Sequence, residues 1–262
     1  MGTSNGPQKQ EFLIINGHWN SGTTLLVDLL RKHPDLDFRQ ARFKPELEER
    51  TTLKLLRNLG YEPIPFGVNY DLVTKNQGFA YWEEPPLLPE GKLLKMSKAW
   101  HRKFNPRGGK KSLLKNPWLL FYPETLRQLT QQDQVHYIYI LRDGRSQVTS
   151  RDYWKNESKP EQHLIARAHF WVYCMEWFLD KWQPDSNCLV VRYENLTAHP
   201  EASLQEICQH AQIPFEPLRS HLPPALENRL GKWNALPSDL RGSVEDIITP
   251  MQQRLDTLYP VR

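Results

Sequence analysis

The sequence predicts an α/β fold, with a parallel sheet between two layers of helices, and three features indicate it. The first is a strand, a small-residue loop and a helix in succession near the N-terminus. The second is a set of apolar runs without polar alternation, typical of strands buried on both faces, at 12–15, 112–115, 135–141 and 188–191. The third is helical patterning between the later runs, which supplies the crossover connections that parallel strands need.

The first unit, residues 12–34, combines all three kinds of element. Residues 12–15 predict a buried strand, a turn follows, and leucines then recur at helical spacing until a His-Pro pair ends the helix. A loop at the start of a helix leaves backbone N–H groups unpaired at the positive end of the helix dipole. The hydroxyls of Ser21, Thr23 and Thr24 add donors beside them, so we expect this loop to bind an anion.

The loop Gly17–Thr24 fits the phosphate-loop pattern G-x-x-x-x-G-K-[ST] at every defined position except one, where Thr23 replaces the lysine. Nucleotide triphosphatases need that lysine on the β- and γ-phosphates, and a threonine does not supply its charge. Hydrolysis of ATP or GTP is therefore disfavoured, whereas binding of a less charged phosphate ester stays open. A capped helix with no ligand is the alternative interpretation.

Residues 35–111 interrupt the α/β rhythm with amphipathic helical pieces, such as Glu46–Leu59, and no parallel strand is predicted there. A long insertion after a phosphate loop is typical of the wall of a second substrate's pocket, so we expect this largely helical insertion to form the acceptor side. Its aromatic residues either line that pocket or pack within the insertion: Phe66, Tyr70, Phe79, Tyr81, Trp82 and Trp100. The basic segment from His101 to Lys111 is expected to be mainly a solvated loop.

Two strand ends carry cations. The strand at 112–115 ends in Lys115, and open parallel sheets bind ligands at the carboxyl ends of strands, so Lys115 is expected to face the same crevice as the loop. The strand at 135–141, predicted to be the central one, is followed by Arg142, and Ser150 comes eight residues later. A guanidinium and a hydroxyl in this arrangement can bind one phosphate together. Either cation is also compatible with plain exposure.

The C-terminal half completes the pattern. A helix at 162–182 has an apolar stripe that fits core packing better than ligand binding, formed by Leu164, Ala168, Trp171, Met175, Phe178 and Trp182. The strand at 188–191 leads to Tyr193, whose ring either contacts a ligand or fills the core. Further helices are predicted at 200–212 and 244–258.

These motifs, in this order, resemble those of sulfotransferases that use 3′-phosphoadenosine 5′-phosphosulfate (PAPS). The loop resembles their 5′-phosphosulfate loop, the Arg142 and Ser150 pair resembles their 3′-phosphate motif, and the segment after Arg192 resembles their Tyr-Glu-Asp-Leu segment. A Gly-x-Trp segment near the C-terminus resembles the part that closes over the 3′-phosphate. The resemblance implies a P-loop sulfotransferase fold and a nucleotide-binding set of Trp19, Asn20, Ser21, Gly22, Thr23, Thr24, Arg142, Ser150, Tyr193, Arg229, Gly231 and Lys232.

Position 20 departs from that resemblance. The family usually has lysine or arginine where Asn20 stands, beside the bridging oxygen of the donor, so another cation compensates or activity is reduced. The family also has a lysine beside the sulfuryl group at the strand end that Lys115 occupies. Lys115 is therefore our candidate for part of the missing charge.

The general base is not identified by the sequence. The positions that hold the base in the family are occupied here by Pro117 and Gln40, and neither side chain accepts a proton usefully. The remaining candidates, each also compatible with a structural or exposed role, are His18, Glu46, Glu83 and Glu84.

The resemblance implies transfer of a sulfuryl group from PAPS to a hydroxyl or amine of an unidentified small-molecule acceptor. The reaction is an in-line displacement with adenosine 3′,5′-bisphosphate (PAP) as the product, and positioning and charge stabilisation supply the catalysis. A non-catalytic PAPS- or PAP-binding protein is the alternative. A divergent P-loop nucleotide kinase is a further one, against which Thr23 counts.

Composition and length limit the kind of ligand, the number of domains and the compartment that we expect for this protein. In 262 residues, 34 Lys and Arg against 30 Asp and Glu leave a net charge of +4, which suits an anionic ligand but does not indicate nucleic acid. The length suits a single domain over 1–262, with a flexible N-terminus at 1–10. No metal-ligand cluster and no run of about 18 apolar residues is seen. Three cysteines without metal-like spacing indicate core residues of a cytoplasmic protein.

Overall fold

The protein is described by a computed structural model that covers residues 9–38, 89–115, 117, 121–150, 160–225 and 230–262. Its strands are β1 (Glu11–Gly17), β2 (Leu36–Phe38), β3 (Lys111–Lys115), β4 (Gln134–Leu141) and β5 (Cys188–Arg192). They form one parallel sheet in the order β2-β3-β1-β4-β5. The helices are α1 (Thr23–Leu30), α2 (Glu90–Phe104), α3 (Pro123–Leu129), α4 (Gly144–Val148), α5 (Pro160–Lys181), α6 (Tyr193–Ala198), α7 (Pro200–His210), α8 (Glu216–Arg219), α9 (Gly231–Asn234) and α10 (Ser238–Leu258).

Strand β1 occupies the middle of the sheet. Its residues 12–15 are fully buried, because β3 and β4 pair with it on either side and helices cover both faces. The prediction that residues 135–141 form the central strand is therefore wrong, since β4 lies one place from the centre. The parallel register sets Gly17 beside Ile140 and Leu141 beside Arg192, so the ends of β1, β4 and β5 meet at one edge.

Alternate residues of each strand face two separate cores. On one face, Tyr139 stacks on Phe178 of α5 with 3.9 Å between ring centroids, and Leu255 of α10 belongs to the same cluster. On the other face, Ile138 shares a cluster with Leu204 of α7 and with the apolar side of α1. Helices on both faces of a parallel sheet confirm the predicted three-layer α/β fold.

The long helix α5 lies over the sheet as its periodicity predicts. All six residues of the predicted apolar stripe are at most 1% exposed, from Leu164 to Trp182. The stripe is therefore core and not a ligand-binding face, which confirms the interpretation made from the sequence.

The described parts of the insertion, 35–38 and 89–111, are more regular than predicted. Residues 36–38 form the edge strand β2, parallel to β3, although no strand was predicted in the insertion. Three residues are too few to show a period, and their pairing with β3 is a tertiary contact. The basic segment expected to be a loop divides between the last turn of α2, a short connection and the start of β3.

Of the six aromatic residues considered for the acceptor pocket, Trp100 lies within the described residues. It is 7% exposed and packs against Phe12, with 6.3 Å between ring centroids, and against Phe104 at 4.5 Å. Trp100 is thus a core residue, as the plainer interpretation predicted. The predicted helix at 46–59 and the five other aromatic residues lie outside the described residues, as do positions 1–8 of the N-terminus.

The three cysteines are free thiols. Cys174 and Cys208 are buried, and Cys188 is half-buried. Burial raises the pKa of all three, to about 12 for Cys188 and about 11 for Cys208, so the thiols stay protonated near neutral pH. Among the helices that the structure describes, none has the length and apolar content needed to cross a membrane.

A close helix contact gives a test of the packing. A Cβ added at Gly144 would lie 2.7 Å from Ile248 Cγ2 and 3.0 Å from the Trp171 ring, between α4, α5 and α10. We expect Gly144→Ala to lower the free energy of unfolding by about 1–3 kcal/mol, because the inserted methyl group overpacks this contact. Equilibrium denaturation with urea would measure the change.

The matched control is Gly242→Ala within α10, where an added Cβ meets nothing within 4 Å. Here alanine should raise the free energy of unfolding by about 0.5–1 kcal/mol through its better helix propensity. Equal effects of the two variants would contradict the packing described for Gly144.

Candidate functional site

The loop between β1 and α1 has a backbone that suits its sequence. Gly22 has φ +108°, and a Cβ there would lie 2.2 Å from Cδ2 of Tyr193, so glycine lets the tyrosine ring lie on the loop. Asn20 has φ +62°, a left-handed conformation that asparagine tolerates better than most residues. Asparagine at position 20 therefore fits the backbone, although it lacks a charge.

The loop presents polar groups that could hold an anion. Helix α1 begins at Thr23 with no side-chain cap, so the N–H groups of its first turn point out of the helix at the positive end of its dipole. Ser21 Oγ and the side-chain amide of Asn16 are buried and, within the described chain, have no hydrogen-bond partner. Buried polar groups normally have partners, so these atoms point to a ligand.

Arg142 joins the end of β4 to this loop. Its Nη1 donates a hydrogen bond of 2.8 Å to the carbonyl oxygen of Asn20. Its guanidinium carbon lies 4.4 Å from the centroid of the Tyr193 ring, which in turn covers Gly22. Arg142 Nε is buried and without a partner among the described residues. The two motifs predicted from separate parts of the sequence thus adjoin.

The turn after Arg142 is held by buried acids. The Asp143 carboxylate accepts a hydrogen bond from Ser146 N at 3.1 Å and caps α4, while Glu194 accepts one from Asp143 N at 2.9 Å. Burial raises the pKa of the Glu194 carboxyl, against the effect of that hydrogen bond. Arg145 pairs with Asp143 at 2.6 Å. These contacts set the direction in which Arg142 leaves the sheet.

Ser150 and Lys232 come together at the far end of α4. Ser150 Oγ donates to the carbonyl oxygen of Gln147 at 2.8 Å, and Lys232 Nζ donates to the carbonyl oxygen of Ser150 at 3.2 Å. Gly231 begins α9, and a Cβ there would meet nothing within 4 Å, so no close contact within the described chain requires glycine. Arg229 lies outside the described residues.

His18 is a buried residue of the loop, 8% exposed. Its ring lies 5.4 Å from Phe170, and its Nδ1 lies 2.6 Å from Nε2 of Gln147. Burial lowers the pKa of His18 to about 3, and the positive charge of Arg167 acts in the same direction. A group with that pKa is a weak base at neutral pH, so burial disfavours His18 as the general base. Trp19, beside it, stacks on Phe170 at 4.8 Å.

Lys115 is buried, with 6% of its surface exposed, at the end of β3. It pairs in register with Ile15, two residues before the loop begins at Gly17. The strand end thus carries a cation to the same edge of the sheet as the loop. The carboxylates considered as bases, Glu46, Glu83 and Glu84, lie outside the described residues together with Gln40. No group of three or more potential metal ligands occurs in the described part of the chain.

Several residues that shape this site were not singled out from the sequence. Gln147, Glu194 and Arg167 each act through contacts or charges that join distant parts of the chain. The sequence signal for Gln147 was only that a polar residue stands on the short helix between Arg142 and Ser150. A single polar residue does not show whether its side chain is buried against another segment or exposed to solvent.

Comparisons with known proteins show a family and a shared fold. The model of the sulfotransferase family matches residues 13–217. A sulfotransferase from Alicyclobacillus acidocaldarius superimposes with a TM-score of 0.55 at 14% identity, over 95% of each chain. The sulfotransferase domain of the Synechococcus PCC 7002 olefin synthase gives 0.57 at 16% identity, over 100% of this chain and 99% of that one. No curated protein gives a match.

A mouse sulfotransferase complexed with PAP gives a TM-score of 0.53 at 14% identity, over 96% of this chain and 90% of that one. Identities this low establish a shared fold.

The lowered pKa of His18 predicts a dependence of stability on pH. The unfolded chain protonates this imidazole below pH 6.5, whereas the folded chain keeps it neutral down to about pH 3. The contribution of His18 to the free energy of unfolding is therefore complete above pH 6.5. It is lost at about 1.4 kcal/mol per pH unit as the pH falls towards 3. His18→Asn should remove this component, so wild type minus variant stability should fall between pH 6.5 and about 4. Urea denaturation measures the difference, and an imidazole NMR signal of His18 that titrates near pH 6 would contradict it.

Proposed function

The chain belongs to the sulfotransferase family, and from that premise we propose that it transfers a sulfuryl group from PAPS to a hydroxyl or amine of a small-molecule acceptor. One observation carries the choice of donor. The guanidinium of Arg142 hydrogen-bonds to the loop at Asn20, so two sets of phosphate-binding groups lie side by side. A nucleotide with phosphates on both its 5′ and 3′ oxygens suits such a pair of sites.

The residues present fit this nucleotide. Buried donors without partners in the described chain, Ser21 Oγ, Asn16 Nδ2 and Arg142 Nε, are explained by an anion between them. The loop and the first turn of α1 would hold the 5′ group. Arg142, Ser150 and Lys232 would hold the 3′-phosphate, the last two because they meet at the end of α4. Tyr193 would lie beside the nucleotide on Gly22.

The chemistry needs positive charge where the leaving phosphate develops its own negative charge. When bound, the donor would supply an activated sulfuryl group: the acceptor oxygen or nitrogen bonds to sulfur and gives up its proton, and the bond from sulfur to the phosphate oxygen breaks so that PAP leaves. Lys115 and the first-turn N–H groups would stabilise that charge. Arg167, whose charge disfavours protonation of His18, adds positive potential beside the loop. These groups offset the missing cation at position 20.

A second candidate function is a protein that binds PAP or PAPS without turnover. Two features favour it: the low pKa of His18, and Pro117 at the position where the resemblance implies a base, because neither residue supplies one. The two functions differ in one measurement. Both give PAP binding, but the enzyme alone transfers labelled sulfate from PAPS to an acceptor in a panel of phenols, alcohols and amines.

Three free thiols, two of them fully covered by the fold, suit a reducing compartment, and we place the protein in the cytoplasm.

The 3′-phosphate site can be tested by nucleotide binding. We expect Arg142→Gln to weaken PAP binding by about 10- to 100-fold, because it removes a charge-assisted hydrogen bond to phosphate. Binding of 5′-AMP, which lacks the 3′-phosphate, should change much less. Isothermal titration calorimetry measures both affinities.

The matched control is Arg127→Gln, since Arg127 pairs with Asp185 and Glu124 away from the site. It should leave both affinities unchanged. Equal losses for PAP and 5′-AMP in Arg142→Gln would exclude the proposed 3′ site, and wild-type protein that binds neither nucleotide would exclude the function itself.

Lys115 can be tested through turnover. Lys115→Met keeps the length of the side chain and removes its charge, so kcat should fall by about 100- to 1000-fold if the ammonium stabilises the leaving phosphate. PAP affinity should change far less than kcat. Transfer of ³⁵S from labelled PAPS measures kcat, and a variant with unchanged turnover would remove Lys115 from the mechanism.

A further inference from the structure

Gln147 lies between the two phosphate-binding regions and contacts both. It is 1% exposed on α4. Its Oε1 accepts a hydrogen bond of 3.1 Å from the indole N–H of Trp171, and its Nε2 lies 2.5 Å from the carbonyl oxygen of Trp19 and 2.6 Å from Nδ1 of His18. Its own carbonyl oxygen accepts the hydroxyl of Ser150 at 2.8 Å. One residue thus connects the loop to the serine.

The orientation of the Gln147 amide follows from its partners. An indole N–H can only donate, so the atom facing Trp171 must be the amide oxygen. The amide nitrogen then faces the loop, where it can only donate, and the Trp19 carbonyl can only accept. Every polar atom of the amide therefore has a partner of the opposite kind.

The same amide favours one tautomer of His18. Nδ1 lies 2.6 Å from Nε2 of Gln147, which can only donate, and 3.1 Å from the carbonyl oxygen of Trp19, which can only accept. A proton on Nδ1 would place two donors 2.6 Å apart, so the shorter contact favours acceptance from Gln147, with the proton of the neutral ring on Nε2. Burial keeps the ring neutral. His18 Nε2 is itself buried, with no partner within the part of the chain described. In this tautomer the ring presents Nε2–H as a hydrogen-bond donor.

We propose that Gln147 is a positioning residue that holds the 5′ loop and Ser150 in register, so that both ends of one nucleotide are bound together. The proposal rests on the proposed function. A ligand with two phosphates gains most when the two sites are preorganised relative to each other, because it need not order them itself. Loss of the amide should therefore affect a bisphosphate more than a monophosphate.

The affinity test uses Gln147→Met, which is close in length and lacks the amide. PAP affinity should fall about tenfold, and 5′-AMP affinity should fall less than about threefold, because one phosphate does not need the two sites in register. Calorimetry on the whole chain measures both. An unchanged ratio of the two affinities would overturn the proposal.

A second measurement needs no nucleotide. In ¹⁵N NMR spectra of the imidazole, His18 of the wild type should carry its proton on Nε2. Gln147→Glu places a carboxylate at Nδ1, so the proton should move to Nδ1, or the ring should gain a second one with a raised pKa. In Gln147→Met the preference for Nε2 should weaken. A His18 spectrum that is the same in all three proteins would overturn the proposal.

Gln252→Met is the matched control. Gln252 is a second buried glutamine against α4, 6% exposed, and its Oε1 accepts a hydrogen bond from Gly144 N without contacting the loop. The variant should lose stability to a similar extent but keep the His18 tautomer. If the wild type binds neither PAP nor 5′-AMP, the proposed function fails, and the positioning role is then decided by the NMR result alone.

Discussion

The hydrogen bond from Arg142 to the carbonyl oxygen of Asn20 is the contact on which the site depends. It joins the end of β4 to the loop that follows β1, and it exists because these strands are parallel neighbours whose ends lie at one edge. An antiparallel arrangement would send one of the two segments to the opposite edge. The sheet therefore supplies the proximity, and the guanidinium supplies the charge.

That contact is kept in place by polar groups that are themselves buried. Glu194, Asp143 and Gln252 hold the backbone of the turn between β4 and α4 through hydrogen bonds to N–H groups of that turn and helix. Burying a carboxylate is unfavourable unless it is hydrogen-bonded, and the raised pKa of Glu194 records part of that cost. Near the other end of α4, the Gln147 side chain ties the helix to the loop through Trp19 and to α5 through Trp171. The helix is only five residues long, so these side chains, and not its own hydrogen bonds, determine where it lies.

The backbone conformation at position 20 suits the asparagine that stands where the family usually has a cation. Asn20 has a positive φ, and asparagine adopts this left-handed conformation more readily than most other residues do. Two cations on other elements lie in this part of the fold: Lys115 ends β3 at the same edge of the sheet as the loop, and Arg167 on α5 acts on His18 of the loop through its charge.

The sequence by itself determined the α/β class, the long strands, the loop and the two cationic strand ends, because each depends on local spacing or on the residue type at one position. It did not place β1 at the centre of the sheet or reveal the edge strand β2, since strand order and short pairings depend on contacts between distant segments. The neutral His18 and the linking role of Gln147 were decided only by the tertiary structure. Burial and hydrogen bonding to residues more than a hundred positions away set both, and no local pattern in the chain records such contacts.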